Sequence, residues 1–362
     1  MTTTSSRLLA ALVSVGVIVA ACGGSDDAES TDTAPAATEA LDTDPVDTGP
    51  VETDPVDTGP VDTDPVDTAP TEESTTTVEE PPPTAEPVTR LDDEVVVALG
   101  ANVWPIVGDL LALGIEPDAI VRNETSQGRP DYLDDPFGDV IDQATDIPVV
   151  LTALNAEELA AVGGTVLAAP SAFEPVIPPE LLDLYETVIF TDLFDWRTSL
   201  EAIVDGIGED QAVLDEFDAL YADRLADVAA AIGPDVAELT FSFWSAGADG
   251  TATVFPTTGP GAKVLLDLGL TPIPLMPTEP GNAILSLEEV DQLDADVVFF
   301  SDRSSTPVED LGSLPIWATT GAQQDGRVFE VSNAWNQGGW FDTLSVFDDL
   351  EAIFADFEPP AG

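Results

Sequence analysis

The chain has 362 residues, enough for two domains of ordinary size, and it carries 70 acidic residues against 9 basic ones. Histidine is absent and cysteine occurs once, which excludes zinc sites built from His or Cys, catalytic units that need a histidine, and intrachain disulfide bonds. A surface of this charge repels phosphate backbones, so we expect no nucleic-acid partner.

The negative charge is spread over two regions of the chain. Residues 23–89 contain 19 acidic residues and no basic one. Residues 90–362 therefore contain the other 51 acidic residues (70 − 19) against 8 basic ones, a net charge of −43. An acidic tail alone does not account for this. Adaptation to a salty medium is one explanation, because salt screens self-repulsion beyond roughly 8 Å.

The N-terminal residues have the features of a secretory signal. Arg7 precedes an apolar run over residues 8–21, which is shorter than the ~20 residues of a membrane-spanning helix. Small residues then lead to Cys22, and this arrangement resembles the lipobox of bacterial lipoproteins. The resemblance implies cleavage after residue 21 and a lipid anchor on Cys22. The alternative is an ordinary secretory signal with a chance cysteine.

A ten-residue repeat dominates the segment over residues 22–89. LDTDPVDTGP (41–50), VETDPVDTGP (51–60) and VDTDPVDTAP (61–70) each combine two prolines with three acidic residues and very few large apolar ones. Such a segment buries too little apolar surface to offset the entropy of ordering it. The sequence therefore predicts a disordered, extended tether between the anchor and a folded part.

Beyond residue 90, short apolar runs alternate with helical spacings. Strand 95–99, helix 105–113 and strand 115–121 form a βαβ unit, which predicts a parallel sheet. The alternation continues in two groups and predicts an α/β fold with sheet-bearing lobes over residues 90–198 and 235–362. The further predicted elements are strands 165–169, 187–190, 239–244, 297–300 and 327–331, and helices 157–162, 261–268, 286–293 and 344–357.

Residues 199–234, between the two lobes, have apolar positions in steps of three and four. This spacing predicts one long amphipathic helix that joins the lobes stiffly. Asp210 fits an N-cap within it, and Gly233 followed by Pro234 ends it.

Candidate ligand contacts follow from the position of the strands. Open α/β sheets bind ligands at the carboxyl ends of their strands. Aromatic rings there offer flat apolar contact, and arginines donate hydrogen bonds to anionic oxygens. The candidates are Asn102, Trp104, Arg122, Tyr132 and Ser171 in the first lobe, and Trp244, Arg303, Trp335 and Trp340 in the second.

Several of these candidates have a structural alternative. Trp104 precedes Pro105 and could pack the start of its helix against the core. Arg122 is one of only eight basic residues after residue 89 and could be the counter-ion of nearby acidic residues. Trp335 and Trp340 lie in the segment WNQGGW, whose Asn and Gly content has little core character.

Five segments, in the same order, resemble the substrate-binding lipoproteins of ABC importers for ferric siderophores and cobalamin. They are ALGANVWPIVGDLLALGIEPDAIV (98–121), LNAEELAAV (154–162), DWRTSLEAIVDGIGEDQAVLDEFDALYADRLADV (195–228), LSLEEVDQLDADVVFF (285–300) and SLPIWATTGAQQDGRVFEVSN (313–333). The resemblance implies the class III periplasmic-binding-protein fold, in which two lobes joined by a long rigid helix hold one ligand in the cleft between them.

The resemblance also implies partners and a location. A monomer anchored at the outer face of the cytoplasmic membrane would deliver its ligand to a permease driven by a cytoplasmic ATPase, without catalysis. In this family one exposed glutamate per lobe meets basic pockets of the permease, and Glu157 and Glu288 match those positions. Trp317 matches a position that usually packs inside.

The expected ligand is a ferric siderophore, whose metal arrives already coordinated and needs no protein ligand or cofactor. The rarity of basic residues favours a neutral or mildly anionic chelate over a tris-catecholate complex of charge −3. Cobalamin and haem are alternative ligands of the same fold, with Tyr132 the only loop tyrosine suited to haem. A surface sensor or adhesion protein is a third alternative. No strand is followed by a glycine-rich phosphate loop, so the sequence favours a protein that is not an enzyme.

Overall fold

A computed structural model describes residues 91, 94–123, 128–149, 156–175, 177–233, 239–355 and 357. The predicted signal peptide over 1–21, the predicted lipidation site Cys22 and the predicted tether over 22–89 lie outside the described residues. None of the helices in the described part of the chain combines the length and the apolarity that spanning a bilayer requires.

The first lobe contains a five-stranded parallel sheet. Its strands are β1 (Val96–Gly100), β2 (Ala119–Asn123), β3 (Thr145–Val149), β4 (Val166–Pro170) and β5 (Thr187–Thr191), and its helices are α1 (Trp104–Ala112), α2 (Asp131–Ile141), α3 (Ala156–Val162) and α4 (Pro179–Leu182). The spatial order is β3-β2-β1-β4-β5. The register sets Gly100 of β1 beside Arg122 of β2, so the carboxyl ends of these strands meet at one edge.

Two helices lead from the first lobe to the second. They are α5 (Trp196–Ile207) and α6 (Asp215–Ile232), separated by a short 3-10 turn over Gln211–Leu214. This corrects the single helix predicted over 199–234. Gly208 adopts a left-handed conformation (φ 71°) that ends α5, and the Asp210 side chain caps the turn that follows. The predicted cap at Asp210 and the predicted end at Gly233 are confirmed.

The second lobe contains a mixed six-stranded sheet. Its strands are β6 (Thr240–Ala246), β7 (Thr251–Val254), β8 (Thr271–Pro272), β9 (Ala283–Ser286), β10 (Val297–Ser301) and β11 (Val328–Val331), and its helices are α7 (Pro260–Asp267), α8 (Gly321–Gln324) and α9 (Trp340–Ala355). The order is β11-β10-β6-β7-β9, with β8 paired to β6. Strands β6, β8, β10 and β11 run parallel, whereas β7 and β9 pair antiparallel.

The last helix connects the lobes a second time. Helix α9 packs against α6 and also against α1 and α2 of the first lobe. The chain reaches this position through Gly338 and Gly339. A Cβ on Gly338 would lie 2.4 Å from the carbonyl carbon of Phe194, and one on Gly339 would lie 2.9 Å from the Cα of Pro105. Only glycine allows two backbones to approach this closely. Gly338 and Gly339 are therefore a point of close packing against the first lobe, and we call this pair the glycine joint.

The predicted fold class, two sheet-bearing α/β lobes, is confirmed. The sequence analysis missed four strands, β3, β7, β8 and β9, and the helices α2, α4 and α8. Strand β3 is largely exposed and contains Pro148, which is tolerated because an edge strand has unpaired positions. Strands β7 and β9 are four residues each, too short for a clear alternation of apolar and polar residues. The helix predicted over 286–293 is a 3-10 segment, Leu287–Leu293.

Candidate functional site

A pocket of about 510 Å³ lies between the two lobes, and we call it the interlobe pocket. The first lobe supplies the start of α2 and the residues before it: Gly128, Pro130, Asp131 and Tyr132. The second lobe supplies the residues that follow β10 and β11, and one residue of α9: Asp302, Ser332, Asn333, Ala334, Gln337 and Ser345. The pocket thus lies at the carboxyl ends of parallel strands, where open α/β sheets bind their ligands.

A second cavity of about 320 Å³ adjoins it in the first lobe, with Gly128 lining both. It contains two of the predicted contacts, Trp104 and Arg122, together with Arg129. Trp104 is only 7% exposed, so it offers an edge of its indole to this cavity while most of the ring packs in the core. We call this cavity the Arg122 pocket.

Both arginines of the Arg122 pocket are bound to carboxylates. The Arg122 guanidinium donates two hydrogen bonds of 2.8 Å to Asp146 on the neighbouring strand β3. Arg129 pairs with Asp134 and, at 2.9 Å, with Asp142. The hydrogen bond with Asp146 raises the pKa of Arg122. Arg122 is therefore the counter-ion of Asp146 in this structure, as its structural alternative predicts.

Arg303 differs from the other basic residues of the described part of the chain. Arg122, Arg129, Arg197, Arg224, Lys263 and Arg327 each form an ion pair with a carboxylate. Arg303 is exposed just after β10 and forms no such pair; its Nη1 donates instead to Oδ1 of Asn333 at 3.2 Å. Arg303 does not line the interlobe pocket itself, but it follows Asp302 and is hydrogen-bonded to Asn333, both of which do; we call this position the rim of the pocket.

Tyr132 links the pocket to a buried polar junction between the lobes. Its hydroxyl donates to Oδ1 of Asp342 near the start of α9, and Asp342 also accepts from the backbone N–H of Gly339 at 3.2 Å. Asp109 on α1 accepts from the Ser199 hydroxyl and from the backbone N–H of Trp340 at 2.7 Å. The junction therefore holds α1, α2 and α5 of the first lobe to the start of α9.

Burial dominates the protonation of this junction. It raises the pKa of Asp342 to about 7, although the hydrogen bonds from Tyr132 and Gly339 act in the opposite direction. It also raises the pKa of Asp109 well above its usual range, and the negative charge of Asp342 adds to that rise. Burial, followed by the charge of Asp342, raises the pKa of Tyr132, so its hydroxyl stays protonated and donates.

Three of the predicted tryptophan contacts are core residues, which corrects their assignment. Trp244 is fully buried because β6 extends to Ala246, so its ring lies inside the sheet's core with ring centroids 4.8 Å from Phe300 and 5.0 Å from Trp317. The expectation that Trp317 packs inside is confirmed, since it too is fully buried.

Trp335 and Trp340 are fully buried for other reasons. Trp335 stacks on Phe299 with centroids 4.6 Å apart and lies against Gly261, where a Cβ would approach its ring to 2.5 Å. Trp340 packs edge-on against Trp196 and Phe217 below the glycine joint. Neither ring is available to a ligand in this structure.

The remaining predicted residues lie at the surface. Asn102 is half-buried after β1, and Ser171 is exposed directly after β4. Neither lines the interlobe pocket or the Arg122 pocket. Glu157 is exposed on α3, and Glu288 is exposed at the start of the 3-10 segment after β9.

Sequence reasoning missed most of the pocket's polar lining. Asp302, Ser332 and Asn333 follow β10 and β11 directly, so the rule of strand ends applied to them as it did to the residues that were chosen. No local sequence pattern indicates Gln337, because the course of the chain just before Gly338 is what brings this residue to the pocket.

The described residues contain no group of three or more acidic or cysteine side chains placed to hold a metal ion. A ligand of this pocket would meet mainly hydroxyl, amide and carboxylate groups, with one guanidinium at the rim. The arrangement is suited to holding a molecule by hydrogen bonds.

The lobes of this chain match a known protein family. The model of a family described as periplasmic binding protein matches residues 99–334. No curated protein sequence matches the chain.

Solved structures share the fold at low sequence identity. A siderophore periplasmic binding protein from the fuscachelin gene cluster of Thermobifida fusca is 21% identical, with a TM-score of 0.55, over 73% of this chain and 97% of that one. The iron-uptake system-binding protein FeuA of Bacillus subtilis is 17% identical (TM-score 0.59; 75% and 96% covered), and Staphylococcus aureus SirA is 18% identical (0.58; 71% and 97%). These likenesses establish the fold.

The junction predicts a pH-dependent stability that Asp342→Asn removes. A carboxyl with a pKa near 7 when folded and near 4 when unfolded stabilises the protein fully below about pH 4, and this contribution is lost as the pH rises to about 7. The unfolding free energy of the wild type minus that of Asp342→Asn, from urea titrations, should therefore fall by on the order of 3 kcal/mol between pH 4 and pH 8.

The exposed carboxylate Asp183 supplies the control, because Asp183→Asn removes one acidic group away from Asp109, Tyr132 and Asp342. A difference between wild type and Asp342→Asn that does not change with pH would contradict the assignment.

Proposed function

Because the chain belongs to the periplasmic binding protein family, we propose that it is the substrate-binding protein of an ABC importer and that it binds a ferric siderophore between its lobes. One observation carries the proposal. The interlobe pocket lies between the residues that precede α2 in the first lobe and the residues that follow β10 and β11 in the second. A ligand there contacts both lobes at once.

The size and chemistry of the site support a bulky, oxygen-rich ligand. The interlobe pocket and the Arg122 pocket share one lining residue, Gly128, and their volumes of about 510 and 320 Å³ are within the range of small-molecule sites. The metal of a siderophore is already coordinated when the chelate arrives, so the chelate is cargo. The protein's part is to hold the outer surface of the chelate by hydrogen bonds. Arg303 is the side chain we assign to the chelate oxygens.

Haem fits this pocket poorly. The one tyrosine of the pocket, Tyr132, donates its hydroxyl to Asp342, and burial raises its pKa. A phenolate ligand for haem iron would have to lose that proton beside a carboxylate. The same hydroxyl is already used to join α2 to α9, so we assign Tyr132 to positioning the pocket wall.

We further propose that the protein acts outside the cytoplasm, anchored through a lipid on Cys22. An extended tether over residues 22–89 would let the binding domain reach ligand away from the membrane while remaining near a permease. The exposed carboxylates of Glu157 and Glu288, one on each lobe, would meet basic pockets on that permease and set the register of docking.

The ligand assignment predicts a loss of affinity in Arg303→Gln. Removing the guanidinium removes hydrogen bonds to chelate oxygens, and we expect the Kd for a ferric siderophore to rise about five- to tenfold. Quenching of intrinsic tryptophan fluorescence on titration measures it. Arg224→Gln removes an arginine that pairs with Asp348 and Glu351, away from both pockets, and should leave the Kd unchanged. Equal affinities for Arg303→Gln and the wild type would contradict the role of Arg303.

The docking assignment predicts a transport defect without a binding defect. Glu157→Lys together with Glu288→Lys should lower uptake of a radioactive iron chelate by about tenfold or more in the cells that make this protein, because like charges would then meet at the permease. The Kd of the purified variant for the same chelate should not change. Glu289→Lys, at the exposed neighbour of Glu288, is the control and should transport normally. Normal uptake by the double variant would rule out this docking mode.

The anchor predicts that Cys22→Ser separates the protein from the membrane. Without its thiol the chain cannot receive the lipid, and the protein should move from the membrane fraction to the soluble fraction of fractionated bacteria. Incorporation of an alkyne-labelled fatty acid into the wild type, and its loss in Cys22→Ser, measures the modification directly. A serine variant that still carries the label and stays with the membrane would show that Cys22 is not the anchor.

A further inference from the structure

The interlobe pocket offers hydrogen-bond acceptors to a ligand. Gln337 lines the pocket, is only 4% exposed, and its Oε1 is buried without a hydrogen-bond partner among the residues that the structure describes. Two exposed carboxylates, Asp131 and Asp302, lie on opposite walls, one from each lobe. A buried amide oxygen without a partner is costly, and a ligand N–H placed against it removes that cost.

Two donors of the pocket lining, and one arm of the neighbouring Arg303, are already used by the protein. The Tyr132 hydroxyl donates to Asp342, and the Ser332 hydroxyl donates to Oδ2 of Asp349 at 3.3 Å. One arm of the Arg303 guanidinium donates to Asn333. A ligand that brings its own donors can pair with Gln337, Asp131 and Asp302 without displacing these bonds.

The charged residues around the site do not add up to a net positive charge. At the interlobe pocket, the described residues place two carboxylates, Asp131 and Asp302, near one cation, Arg303. In the adjoining Arg122 pocket, Arg122 is neutralised by Asp146, and Arg129 is flanked by two carboxylates, those of Asp134 and Asp142. A chelate of charge −3 would meet no compensating cluster of cations. The net charge of −43 over residues 90–362 adds a repulsive field at longer range.

We infer that this pocket selects ferric chelates that are neutral or cationic and that present N–H groups on their outer surface, as linear tris-hydroxamates with amide and terminal ammonium groups do. The inference rests on the proposed function. The ammonium would lie near Asp131 or Asp302, and an amide N–H would donate to Oε1 of Gln337. One unit of charge on the ligand, placed in contact with one of these carboxylates, changes the affinity by roughly three- to thirtyfold.

Three derivatives of one hydroxamate chelate that differ at a single amine, together with a catecholate chelate, test the inference. A linear ferric tris-hydroxamate with a free terminal amine carries +1, its N-acetyl derivative is neutral, and its N-succinyl derivative carries −1. A ferric tris-catecholate carries −3. Calorimetric titration of the full-length protein with each, at low and at high salt, should give affinities that fall in the order +1, 0, −1, −3. The differences should narrow at high salt because screening weakens them.

Two variants assign the discrimination to the pocket. Asp131→Asn combined with Asp302→Asn should reduce the ratio of affinities for the +1 and −1 complexes by roughly tenfold. Asp183→Asn, which removes an exposed carboxylate that lines neither pocket, should keep the wild-type ratio. Unchanged thermal unfolding of the double variant shows that it is folded.

The outcomes separate the inference from the proposed function. If the −1 or −3 complex binds as tightly as the +1 complex, the inference is overturned while siderophore binding stands. If the double variant keeps the wild-type ratio, the pocket carboxylates are not the cause and the inference is overturned. If none of the complexes binds, the proposed function fails and the inference fails with it.

Discussion

The pocket depends on one buried polar junction. Asp109 of α1 accepts a hydrogen bond from the backbone N–H of Trp340, at the first residue of α9, and thereby ties the last helix of the chain to the first helix of the fold. The glycine joint lets the chain pass close enough for this bond, because a side chain at Gly338 or Gly339 would strike the backbone of the first lobe. Asp342 and Tyr132 extend the junction to α2.

The junction sets the geometry of the ligand site. Tyr132 both lines the interlobe pocket and donates into the junction, so the wall of the pocket is positioned by contacts that a ligand does not touch. The residues that follow β11 are held within the second lobe, because Trp335 packs between the ring of Phe299 and the backbone of Gly261. With the lobes joined at α5–α6 and again at α9, a rigid-body rotation of one lobe against the other has to deform two connections. The pocket is therefore held in one shape by the scaffold, and preorganisation of this kind lowers the entropic cost of binding.

Charge has a different role in the scaffold and in the site. In the scaffold the few cations each hold one or two carboxylates, as Arg224 holds Asp348 and Glu351 between α6 and α9. Such exposed pairs contribute little stability individually, but they use up positive charge that a ligand would otherwise meet. Arg303 stays outside these pairs among the described basic residues, and it lies at the rim of the pocket. The cations near the pocket are therefore limited both by their small number and by the ion pairs that the others form.

The sequence by itself determined the elements whose signals are local. Apolar runs and glycine stops predicted β1, α1, β4, β6 and β10 and hence two α/β lobes, and Asp210 and Gly233 were recognised as helix boundaries because capping involves only neighbouring residues. The strand-end rule needs only strand positions, and it pointed to Tyr132, which lines the interlobe pocket, and to Arg303, which is hydrogen-bonded to the lining residue Asn333. Tertiary structure alone decided the fate of Trp335 and Trp340. Their burial depends on Gly261 and on the backbone of Phe194 and Pro105, which are distant in the chain. A local sequence pattern does not indicate which distant residues will pack against a tryptophan ring.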